Sequence, residues 1–100
     1  MITRTALTKA KRGAAFLDAK LGRGWRRKVR RRDLNMESGL YAYKGDCGCI
    51  LAQLYHTYDE GAAALGIDND RAERLGFLDL EAESYPELTE AWREVLRGKA

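Results

Sequence analysis

Apolar residues in the first part of the chain recur at spacings of three and four, which is typical of one face of an α-helix. The stripe is Leu7, Ala10, Ala14, Leu17 and Leu21, and Phe16 widens it. Gly22 and Gly24 follow and predict the end of this helix, because glycine is common just past a helix C-terminus. Gly13 costs about 1 kcal/mol relative to alanine inside a helix, which favours a start near that residue.

A wider apolar face predicts a second helix. It consists of Cys47, Ile50, Leu51, Leu54, Tyr55 and Tyr58. Asp46 stands where an N-cap is expected, and the stripe continues to Leu65 before Gly66 ends it. Gly61 is a point at which this helix could bend or divide.

Two further helices are predicted in the acidic half of the chain. Asp68 or Asn69 caps a short helix over 71–75, which Gly76 ends. A hydrophobic connection follows: Phe77, Leu78 and Leu80. A capping box at Ser84 and Glu87, with Pro86 in the first turn, predicts the start of the last helix. Its inner face is Tyr85, Leu88, Trp92, Val95 and Leu96.

None of these helices would be stable alone, so they must pack together. The predicted fold class is mainly α: a compact small helical domain of three main amphipathic helices plus a short one. A small β-hairpin is possible near residues 33–44, which are rich in turn-forming residues. At 100 residues, the chain 1–100 is expected to be a single domain. We also expect Leu54, Tyr55, Leu88 and Trp92 to be buried together.

The charge is distributed unevenly along the chain. Residues 1–50 hold 13 Lys/Arg and 4 Asp/Glu, whereas residues 51–100 hold 5 Lys/Arg and 11 Asp/Glu. The densest part, residues 20–32, is here called the basic segment; it contains no acid. Its cations are the candidate binding residues: Lys20, Arg23, Arg26, Arg27, Lys28, Arg30, Arg31 and Arg32.

Five arginines of the basic segment are expected to be largely exposed, with Trp25 and Val29 turned inward as anchors: Arg23, Arg26, Arg27, Arg30 and Arg31. If 25–32 is helical, the spacing of four puts these two anchors on one face. Such a surface could bind a nucleic acid, an acidic protein or a membrane surface. It could also lie against the acidic half of the same chain or of a second copy, giving a homo-oligomer, or remain a solvated face.

The cysteines and the single histidine are the obvious candidates for chemistry. Cys47-Gly48-Cys49 supplies two thiols at a spacing of two, too few and too close for a usual zinc site. We therefore expect no metal and no disulfide, with Cys47 buried and Cys49 partly exposed; a zinc site at Cys49 and His56 is the alternative. His56 has no recognised nucleophile partner, and no phosphate-binding loop is present. The expectation is a protein that is not an enzyme and holds no cofactor.

No apolar run approaches the roughly 20 residues that a membrane-spanning helix needs, so no membrane span is expected. The basic N-terminal residues are not followed by an apolar stretch of the signal-peptide type. A cytosolic location is therefore predicted.

Several motifs between Gly13 and Trp92 resemble those of small accessory proteins encoded by phages of actinobacteria. They are Leu17-Asp18, Gly24-Trp25, the run CILAQLY at 49–55, Gly61 to Gly66, Gly76-Phe77 and Tyr85 to Trp92. The arginine block at 26–32 departs from the group, in which a milder segment is typical. The motifs are mostly core and cap residues, so the resemblance implies a shared fold and no catalytic residues.

This resemblance implies a phage-encoded, non-enzymatic accessory protein in the host cytoplasm. Such a protein is expected to bind a host protein and to affect the growth of the infected cell. The alternative is a nucleic-acid-binding module that uses the basic segment.

Overall fold

The first stripe forms helix α1, Arg4–Leu21, in a computed structural model that describes residues 4–36, 49–55, 57–78 and 85–98. Its buried face is Ala6, Ala10, Gly13, Ala14 and Leu17. The helix ends as predicted, with Gly22 at a φ of 75° and its N–H donating to the carbonyl of Asp18 at 3.0 Å. The expected start near Gly13 is wrong, because α1 passes straight through that glycine.

The basic segment forms short 3₁₀ helices and not an α-helix over 25–32. A first 3₁₀ helix spans Arg23–Lys28 and a second spans Arg31–Asp33, with Val29 and Arg30 extended between them. Trp25 and Val29 are both buried, at 2% and 7% exposure, so the expectation of two inward anchors is confirmed.

The long second helix is divided into α2, Ile50–Tyr55, and α3, Tyr58–Leu65. Thr57 has extended backbone, and its side chain accepts the N–H of Glu60, so it caps the start of α3. The division therefore precedes Gly61, which lies within α3 and packs closely against Leu51. The predicted cap at Asp46 lies outside the described residues.

The two C-terminal helices begin close to where the sequence predicts. Helix α4 spans Asn69–Arg74, and the Asp68 carboxylate caps it by accepting the N–H of Arg71 at 2.8 Å. Helix α5 spans Tyr85–Leu96 and carries Pro86 in its first turn. Leu80 and Ser84 lie outside the described residues.

An aromatic cluster centred on Trp92 of α5 packs against Trp25 of the basic segment and Phe77 after α4. Trp92 is fully buried, and its Nε1 donates to the carbonyl of Gly76 at 2.7 Å. Its ring stacks on Phe77 at 5.6 Å between centroids and meets Trp25 edge-on at 6.3 Å. Paired aromatic rings of this kind add to the stabilisation that area burial alone provides.

The fold class is thus confirmed as mainly α and compact, with extents of 30 × 29 × 25 Å. Residues 34–36 form no strand, and the remainder of the hairpin considered at 33–44 lies outside the described residues. Within the described part of the chain, no helix combines the length and the apolar character needed to cross a membrane.

Candidate binding surface

One cation of the basic segment, Arg26, contacts other parts of the fold through its side chain. Arg26 forms an ion pair with Asp18 in which Nη2 lies 3.0 Å from Oδ2, and its Nη1 reaches the carbonyl of Val95 at 3.5 Å. Trp25 donates its Nε1 to the other carboxylate oxygen of Asp18 at 2.8 Å. The hydrogen bond from Arg26 lowers the pKa of the Asp18 carboxyl. The expected exposure of Arg26 is therefore wrong: its side chain links α1 to the C-terminal part of α5.

The other cations of the basic segment are exposed, which confirms the prediction for Arg23, Arg27, Arg30 and Arg31. These exposed cations are Lys20, Arg23, Arg27, Lys28, Arg30, Arg31 and Arg32. Four of them line two different surfaces: Lys28 lines the first, and Arg30, Arg31 and Arg32 line the second.

The first surface is an apolar groove of about 280 Å³. It is lined by Leu21, Gly24, Trp25, Lys28, Leu54 and Tyr55, and is here called the apolar groove. Leu21 is 42% exposed and is the one exposed large hydrophobic residue in the described part of the chain. The prediction that four residues are mostly buried together is confirmed: Leu88 and Trp92 are buried, and Leu54 and Tyr55 are partly buried and pack against the same core. They lie at the edge of the core because the groove opens beside them.

The second surface is an open cleft of about 760 Å³ lined by five arginines. They are Arg30, Arg31, Arg32, Arg93 and Arg97, and this surface is called the arginine cleft. Gln53 fixes the backbone of Arg30 from both sides, accepting its N–H at 2.6 Å and donating to its carbonyl at 3.3 Å. The guanidinium of Arg93 donates to the carbonyl of Leu34 at 3.2 Å, which ties α5 to the end of the basic segment.

Sequence reasoning did not include Arg93 and Arg97 among the candidate binding residues. Arg93 lies in α5 and Arg97 directly follows the helix, with its N–H donating to the carbonyl of Arg93 at 3.0 Å. Their spacing of four, which puts them on one helical face, is the only sequence signal for the pair. Each is paired with a glutamate three residues before it, Glu90 at 3.6 Å and Glu94 at 2.6 Å. Their approach to Arg30–Arg32 depends on the packing of α5 and could not be read from spacing.

The cysteine prediction is corrected at one position. Cys49 is fully buried, and its Sγ accepts the N–H of Ala52 at 3.4 Å, so it is not partly exposed. Cys47 and His56 lie outside the described residues. Within the described ranges, no three His, Cys, Asp or Glu side chains are grouped so that they could hold a metal ion.

No protein-family model matches this chain, and no curated protein or solved structure is significantly similar to it. The resemblance to actinobacteriophage proteins therefore stays a prediction. A functional interpretation depends on the chemistry of the apolar groove and the arginine cleft.

Proposed function

We propose that this protein is a non-enzymatic binding protein that docks on an acidic protein partner through the apolar groove. The resemblance to phage accessory proteins makes a host protein the expected partner and the host cytoplasm the expected location. The observation that supports this proposal most is the exposed Leu21 side chain beside Trp25, Leu54 and Tyr55, with Lys28 on the same lining.

The groove has the composition of the centre of a protein interface. Interfaces place aromatic and apolar side chains at the centre and polar or charged groups at the rim. Trp and Tyr are frequent among the residues whose truncation weakens binding most. An apolar side chain of the partner would fill the groove and remove Leu21 from water, a favourable change on association.

The cations near the groove indicate the charge of the partner. Lys28 lines it, and Lys20 and Arg23 are exposed neighbours in sequence of Leu21 and Gly24. The nearby Asp18 carboxylate is already paired with Arg26, so it offsets little of this positive charge. A partner with Asp or Glu beside its apolar anchor would be steered to this surface and held in one orientation.

A binding role is favoured over catalysis by what lines the two surfaces. The described lining residues of the groove and the cleft supply apolar area and fixed positive charge, and include no carboxylate, imidazole or thiol. General acid–base and nucleophilic catalysis most often use such groups, although Lys28 and Tyr55 of the groove are of types that can also take part.

The test is capture of a partner from nuclease-treated actinobacterial lysate, identification by mass spectrometry, and affinity measurement with the purified partner. Leu21→Ser and Lys28→Glu should each weaken binding by about tenfold or more, as residues at the centre of interfaces do. Ala19→Ser, at an exposed position on the same helix, is the matched control and should bind normally. Unchanged affinity in both groove variants, with normal circular dichroism, would contradict the proposal.

A further inference from the structure

The arginine cleft differs chemically from the apolar groove, since its lining in the described part of the chain consists of arginines and includes no large apolar side chain. We propose that this cleft binds the phosphodiester backbone of a nucleic acid, without reading the bases. The inference goes beyond the protein docking proposed above and does not depend on it.

Among the described residues, the cleft collects more positive charge than the neighbouring carboxylates neutralise. Arg93 and Arg97 each have a glutamate partner, but no ion pair involving Arg30, Arg31 or Arg32 is found among the described residues. Three cationic side chains are therefore left over after the two pairs are subtracted. Phosphates are the complementary ligands, because the planar guanidinium fork matches two phosphate oxygens at once.

The cleft is also held in shape before any ligand arrives. Gln53 on α2 fixes the backbone of Arg30, and Arg93 on α5 holds the carbonyl of Leu34. Two segments about sixty residues apart in the chain are thereby fastened together on either side of the arginines. Preorganised groups lose less conformational freedom on binding, which leaves more of the electrostatic attraction as affinity.

The form of the cleft favours a polymer over a single nucleotide. It is wide and open to solvent, whereas small-molecule sites enclose most of their ligand. Its described lining is arginine alone and supplies no aromatic platform on which a base could stack. Contacts would then go to phosphates, which position a protein on nucleic acid but carry no direct sequence information.

The test is fluorescence anisotropy of the full chain with three probes of arbitrary sequence: duplex DNA, single-stranded DNA and RNA. On the duplex, log K should fall against log salt with a slope of about −0.9 per contacted phosphate. Arg31→Gln and Arg32→Gln should each reduce duplex affinity by about eightfold at 0.1 M salt and make the slope shallower by about 0.9. Arg74→Gln removes the same charge from an exposed position on α4 outside the cleft and should change affinity far less.

Three results would overturn the proposal. One is absence of binding to all three probes at low salt. Another is an equal loss in Arg74→Gln and the two cleft variants, which would mean that net charge alone attracts the polymer. The third is loss of nucleic-acid binding in Leu21→Ser with circular dichroism unchanged, which would place the ligand at the apolar groove.

Discussion

Gly13 in α1 lies against the indole of Trp92 in α5, so closely that a Cβ on Gly13 would stand 2.8 Å from Trp92 Cζ2. The carbonyl oxygen of Leu75 meets the same position, just before the turn at Gly76 that accepts the indole N–H. Glycine weakens helices, but Gly13 occupies the middle of α1 because α5 and the end of α4 pack against the helix at that point and leave no room for a Cβ.

Gly13→Ala should destabilise the protein, although alanine is the better helix former. Overpacking costs roughly 1–3 kcal/mol, against a gain in helix propensity of about 1 kcal/mol, so we expect a net loss of up to about 2 kcal/mol. Urea unfolding measures this loss. Gly24→Ala is the control, since nothing lies within 4 Å of a Cβ there, and its stability should stay within about 0.5 kcal/mol of wild type. A more stable Gly13→Ala variant would contradict the close packing of α1 on α5.

Leu51 and Leu54 lie on the same short helix, yet truncating them should have unequal effects. Leu51 is fully buried and contacts the Gly61 position, so Leu51→Ala should cost about 2–5 kcal/mol. Leu54 faces the apolar groove and is half-buried, and Leu54→Ala should cost less than about 2 kcal/mol. Chemical denaturation of the two variants side by side measures the difference. Equal losses would show that Leu54 belongs to the core after all.

Asp18→Asn should reduce stability in a way that depends on pH. The folded-state pKa of Asp18 lies below its usual value of 3.8, so the stability that its carboxylate supplies is present above about pH 4 and is lost as the pH falls through the lowered pKa. Asparagine keeps the oxygen that accepts the Trp25 N–H but removes the charge that holds Arg26. We expect a loss of about 1 kcal/mol at neutral pH, because the ion pair is partly exposed.

The measurement is urea unfolding of wild type and Asp18→Asn at neutral pH and at pH values below 4. The difference between them should shrink toward zero in acid, where both side chains are uncharged. A loss that is the same at both pH values would mean that the Asp18 charge does not stabilise the fold.

The sequence contains a local signal for the break between α2 and α3, although the apolar stripe continues across the break without interruption. Thr57-x-x-Glu60 has the spacing of a capping box, and Thr57 does accept the Glu60 N–H. The apolar spacing continues across this point because both helices bury the same side of the chain. Periodicity therefore predicts which residues face inward better than it predicts where a helix stops.

The sequence alone determines the helical character, most of the inward faces of α1 and α5, a cap at Asp68 or Asn69 and the concentration of cations at 20–32. Leu21 is the exception in the predicted α1 stripe, because it is exposed. These features arise from contacts within a few residues, and a helix repeats every 3.6 residues. Tertiary structure decides which cations can contact a ligand. Arg26 forms an ion pair with Asp18, whereas Arg93 and Arg97 line one cleft together with Arg30–Arg32. The physical reason is that Trp25 and Trp92 are buried against one another, which brings the basic segment to α5. The two segments are far apart in the chain, so no local spacing of residues predicts that they meet.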